Sequence, residues 1–94
     1  RKAQNNENLA RLNIVKARKL LQAKRDQLSM AKEFVRVASE DFRLGHGPAL
    51  AVAEAKAQQA LALDQWHEAK AHLTLSQINL MYIQGYLPLF LKRD

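Results

Sequence analysis

No cysteine occurs in the chain, which excludes a disulfide framework and a thiolate metal site. Helix breakers are nearly absent too: there are three glycines and two prolines. Two of those glycines and one proline fall together, in Gly45-His46-Gly47-Pro48. Long apolar runs are also missing. The longest, Leu80 to Leu91, is broken by Gln84, Gly85 and Pro88. A bilayer-spanning helix takes about 20 apolar residues, so this run is too short. Gly45-His46-Gly47 lacks the preceding strand and the following Lys-Ser/Thr of a phosphate loop. No Ser/His/Asp or Cys/His set assembles from the residues present, so nothing argues for an enzyme or a cofactor. The first residue is Arg1 and not Met. The chain is therefore expected to be a piece of a longer protein, and the lack of a signal peptide says nothing about where that parent resides.

What remains is helix. Glycine relieves the penalty on positive φ and ends helices, whereas proline at a first helical position starts them. One stop and one start within a few residues fold two long helices back on each other. The expected fold is all-α, a long antiparallel, coiled-coil-like helical hairpin. Residues 1–44 form the first helix, 45–49 the tip, 50–85 the second helix and 86–94 an extended exit segment. In detail, the first helix is expected from near Asn5 to Leu44, and the second from Pro48 to Gln84. Helices of about 40 and 36 residues would reach about 60 and 54 Å, which suits a rod, stalk or tube wall. With 94 residues, 48% hydrophobic and 26% charged, the chain holds one small domain. Two helices bury only one side each, so self-association or membership of something larger is expected.

Apolar spacing locates the contact between the helices. Ala10, Ile14, Ala17, Leu21, Lys24, Leu28, Ala31, Val35, Ala38 and Phe42 follow alternating steps of four and three. Only Lys24 is not apolar, and a 3.5-residue period is the coiled-coil signature. Beside it runs a weaker stripe of Leu20, Met30, Phe34, Val37 and Leu44. The second helix repeats the scheme. One seam is Val52, Ala55, Gln59, Ala62, Trp66, Ala69, Leu73, Ser76, Leu80 and Ile83. Another is Leu50, Ala57, Leu61, Ala71, Leu75, Ile78 and Tyr82, interrupted by Glu54, Asp64 and Glu68. Two seams on one helix call for two neighbours, where a lone hairpin supplies one.

The formal charge is +6. Residues 1–44 hold eleven Lys/Arg against five Asp/Glu, and residues 45–94 hold four of each. A basic helix suits nucleic acid or an anionic membrane when its cations share a face. Arg11, Lys16, Arg18, Lys19, Lys24, Arg25, Lys32 and Arg36 read as scattered among apolar positions, so a solvated surface is expected and nucleic acid is not. His67 and His72 are five residues apart, the wrong spacing for the zinc-protease pair at i and i+4. With Asp64 and Glu68 they offer half-sites only, and no metal is expected.

At the tip the chain resembles a known family. Ala38, Phe42, Leu44-Gly45, Leu50, Val52, Glu54-Ala55, Ala62, Ala69 and the closing Gln77-Ile78-Asn79 with Gly85 look like the second helical-barrel hairpin of the TolC-type outer-membrane efflux proteins. The resemblance covers about residues 31–85. It implies a trimer in the parent, whose hairpins pack side by side into a hollow periplasmic α-barrel below an outer-membrane β-barrel. Hairpin tips would form the entrance and dock a periplasmic adaptor protein that connects to an inner-membrane transporter. The docking residues would be Leu44, Gly45, His46, Gly47, Pro48 and Leu50. Phe42 and Glu54 would belong to the constriction, Phe42 standing for a gating tyrosine and Glu54 for one of two acidic positions. Ala51 stands where the second acid would be, and Gly47 where a basic gating residue occurs. Two alternatives remain open: the helical hairpin of a periplasmic adaptor protein, and a stand-alone coiled-coil module. As an isolated fragment the hairpin is expected to self-associate, most simply as a dimer forming a four-helix bundle.

Overall fold

A computed structural model describes the backbone of residues 2–85 and the side chains of residues 6–85. Two helices make up the fold, α1 (Lys2–Arg43) and α2 (Ala49–Gln84). The architecture is an all-α antiparallel helical hairpin, and the described residues contain no strand. The helix begins at Lys2, before the expected Asn5, because no glycine or proline stands between them. Asparagine's capping preference alone does not interrupt a run of helix formers. At the other junction α2 begins at Ala49. Pro48 caps the helix instead of forming its first residue: its carbonyl accepts the Ala51 N–H at 3.2 Å. The expected exit segment, 86–94, lies outside the described residues.

The chain divides into two compact units. The tip unit is Gln22–Glu68; the open unit joins Arg1–Leu21 to Ala69–Asp94. In the tip unit Leu28, Ala31 and Ala62 form the buried cluster, and half-buried Trp66 packs against it. Val35, Ala38, Val52, Ala55 and Gln59 are half-buried along the same seam. Lys24, the one charged residue of the seam, is half-buried as well, and its Nζ donates to Gln65 Oε1 at 3.4 Å. Its aliphatic stem continues the apolar row while the ammonium reaches a polar partner at the edge.

The open unit buries Ala10, Ile14, Ala17 and Ala69, with Leu21, Leu73, Ser76, Leu80 and Ile83 half-buried. Gln84 Nε2 donates to Glu7 Oε2 at 3.0 Å and ties the two helices of this unit together. Thus the 3.5-residue seam is the one the hairpin closes on, with one exception. Phe42, expected at its end, is 51% exposed. The first turn of α2 offers mainly alanine, at Ala49 and Ala51, and alanine is too small to cover a phenyl ring.

Candidate functional site

The tip is built by a specific helix ending. Gly45 has φ +79°. Its N–H bonds Phe42 O at 3.0 Å, and the His46 N–H bonds Asp41 O at 2.8 Å. These two bonds form a Schellman motif with Gly45 in the left-handed position. A Cβ on Gly45 would meet nothing within 4 Å, so glycine is required there by φ and not by space. Gly47 is the reverse case. A Cβ there would lie 3.2 Å from the Asp41 Cβ, because the chain crosses back over the last turn of α1. One glycine turns the chain and the other lets it pass closely.

This geometry presents the expected docking residues together. Leu44 (54% exposed) and Leu50 (66%) flank the turn. His46 and Pro48 are exposed between them, and Gly47 is half-covered. Glu54 lies further along α2, exposed, and makes no hydrogen bond or ion pair with the tip among the described residues. The tip therefore unites Leu44, Gly45, His46, Gly47, Pro48 and Leu50, with exposed Phe42 beside them and Glu54 apart.

The second apolar stripes are bare. On α1 Leu20, Met30, Phe34 and Val37 are exposed, as is Leu44 just past its end; on α2 Leu50, Leu61, Leu75, Ile78 and Tyr82 are exposed. At 100° per residue, the α1 stripe lies roughly 120° round the helix from the buried seam, and the α2 stripe roughly 150°. In the open unit α1 bares three further residues, Leu9, Leu12 and Val15. The sequence reading missed them, although their steps of three were a visible signal.

Within the tip unit the two stripes meet in an apolar groove. Met30, Phe34 and Leu61 form its walls, and Gln27, Gln58 and Gln65 its rim.

Half of the eight basic residues expected to be scattered share one register, while Lys16, Lys19, Lys24 and Arg36 fall outside it. Arg11, Arg18, Arg25 and Lys32 recur every seven residues, each directly after a seam position. In the tip unit Arg25 and Lys32 stand on the flank of α1 opposite the groove. Acidic Asp26, Glu33 and Glu40 form a neighbouring row of the same period. The signal was the heptad phase, which reading residues singly conceals. Local pairs tie some of these charges: Arg36 to Glu33, Arg43 to Glu40, and in the open unit Arg11 to Glu7 at 2.6 Å. The hydrogen bond from Arg11, helped by the one from Gln84, holds the Glu7 carboxyl below its ordinary pKa. The hydrogen bond from Arg36 does the same for Glu33.

Among the described residues no three His, Asp or Glu side chains converge as a metal site, and no helix is long and apolar enough to cross a membrane. Trp66 packs in the seam beside His67, with ring centroids 5.0 Å apart. No protein-family model matches the chain, and neither does any curated protein or solved structure.

Proposed function

We propose that this hairpin is a wall element of the periplasmic helical barrel of a TolC-type outer-membrane efflux duct, with its tip at the entrance. The observation that carries the reading is the second, exposed apolar stripe on each helix. On α2 it faces roughly away from the buried seam, so α2 is shaped to have α1 on one flank and another helix on the other. Such a helix belongs inside a layer, and a layer of hairpins closes into a tube. Water-exposed stripes of this kind are uncommon on monomers and mark contact surfaces. The tip supports the second half of the reading. Leu44 and Leu50 stand on a turn whose shape is fixed by Gly45 and Gly47, which is a preorganised surface for a periplasmic adaptor. An inner-membrane transporter would supply the exported compound through that adaptor. In this role the chain forms a wall and a gate and performs no chemistry.

The test is site-specific photo-cross-linking in the parent duct. Cross-linking groups at Leu44 and Leu50 are expected to capture a periplasmic adaptor, while one at Lys32 is not. Export is expected to fail in Leu50→Ser with the fold intact. Normal export by a stably folded Leu50→Ser variant, with no adaptor captured from either tip position, overturns the docking role.

A further inference from the structure

We infer that the apolar groove of the tip unit seats the same groove of a second copy of this chain, across a two-fold axis, with both tips at the same end. This goes beyond the duct reading and does not depend on it. It concerns the 94-residue chain alone, so dimer formation and adaptor capture fail independently.

Three observations select the occupant. The first is the chemistry of the rim. Gln27, Gln58 and Gln65 are amides, each both donor and acceptor. A two-fold axis places identical surfaces against each other. Amides satisfy their own copies across such an axis, whereas carboxylates or ammonium groups repel theirs. No charged side chain lines the groove, on a chain whose formal charge is +6.

The second observation is the opposite flank of the same unit. The charged positions directly after the seam residues there are all basic: Arg25, Lys32, Arg36, Arg43 and Lys56. Two copies pressed together on that side would bring like charges together. Of the two grooves between the helices, only the one walled by Met30, Phe34 and Leu61 admits a second copy, and all three side chains are more than half exposed.

The third observation fixes the direction. Glu54 and Glu68 lie seven residues to either side of Leu61, on the same row of α2. Turning the second copy end for end about Leu61 would set Glu54 of each chain against the partner's Glu68, twice. Keeping the tips at the same end lays α2 over the partner's α1 instead. Glu68 then comes to the level of the partner's Lys24, whose counterpart in its own chain sits beside Gln65. That arrangement exchanges two repulsions for two attractions.

Sedimentation equilibrium of the full chain is the first experiment, and a species of twice the 10.7 kDa chain mass is expected at micromolar concentration. Phe34→Gln combined with Leu61→Gln is expected to weaken the dimer at least about tenfold with helicity unchanged. Gln27→Glu combined with Gln58→Glu, both on exposed rim positions, is expected to do the same by charge repulsion. Arg25→Gln combined with Lys32→Gln is expected to leave the dimer within about twofold. Because the chain lacks cysteine, His46→Cys introduces a single thiol at the tip, and a flexible bis-maleimide long enough to span two helix layers about 10 Å apart is expected to link the dimer through it. A monomer at several hundred micromolar, open-ended growth, or a dimer indifferent to the groove variants overturns the proposal. A groove-dependent dimer that His46→Cys does not cross-link overturns the common direction of the tips.

Discussion

The tip unit and the open unit close the same seam with different materials. In the tip unit a leucine and a tryptophan meet between alanines, at Leu28 and Trp66. In the open unit the buried positions are three alanines and Ile14. Charge divides the units more sharply. Residues 22–68 hold six Lys/Arg and seven Asp/Glu, whereas residues 1–21 with 69–94 hold nine and two. All of the chain's excess positive charge thus belongs to the open unit. The basic composition says little about the tip, where exposed Leu44 and Leu50 flank His46 and Pro48 on a glycine turn. Under the proposed docking role, a partner at the tip would be selected by shape and apolar contact and not by bulk positive charge.

The largest expected effect follows from the difference in core. Leu28→Ala should cost about 2–5 kcal/mol, from lost burial and the cavity left behind. Ile14→Ala in the open unit, where the other buried residues are alanines, should fall nearer the lower end of the same range of about 2–5 kcal/mol. Urea denaturation of both variants measures the gap. Equal losses would break the comparison, and a midpoint unchanged by Leu28→Ala would mean the seam is not buried.

Next in size is the turn. Gly45→Val places a β-branched residue at positive φ, a strain of about 1–3 kcal/mol. Gly45→Asn tolerates the left-handed conformation and should lose much less. Gly85 ends α2 with φ +85° and one bond to Tyr82 O at 3.1 Å, so it should show the same preference for Asn over Val. Thermal unfolding of the four variants tests this, and indifference at Gly45 would show that the Schellman geometry is dispensable.

The smallest expected effect is electrostatic. The carboxyls of Glu7 and Glu33 titrate below the ordinary glutamate range in the folded chain. A depressed folded pKa contributes stability that is present above the unfolded pKa, about 4.3, and is lost as pH falls through the folded value. Stability should therefore decline slightly below about pH 4. Glu7→Gln should remove the open unit's share of that slope and Glu33→Gln the tip unit's. Both groups are exposed, so each share is small. Urea midpoints compared above and below that pH are the measurement, and an unchanged slope in both variants would remove these pairs from the account.

The contact between the helices was legible in the sequence almost residue by residue. Ala10 through Ala38 and Val52 through Ile83 are covered as their spacing requires, because a strict 3.5-residue apolar period admits one packing phase. The period also marked the bare stripes as a separate surface. Phe42 escaped the rule because a period says nothing about where the opposing helix begins. Lys24 finding Gln65, and Glu7 finding Gln84, were not legible, since those pairs depend on the stagger of two helices set by the tip. The heptad row of Arg11, Arg18, Arg25 and Lys32 was present in the spacing but emerges only once the seam supplies a phase. At the tip the glycines were legible and their division of labour was not. Composition alone does not say which one needs its φ and which its missing side chain.

That division of labour reaches into the order of folding. The turn at Gly45 is closed by hydrogen bonds between near neighbours in the chain, so it carries the smallest loop-closure entropy of any contact joining the helices. Lys24 and Gln65 are 41 residues apart and Glu7 and Gln84 are 77 apart, yet once the turn stands each further pair closes only a short additional loop. The chain should zip from the tip, in the manner of folds dominated by local contacts. A strained Gly45 would then slow folding more than it hastens unfolding, whereas Glu7 and Gln84, joined last, would leave the folding rate untouched.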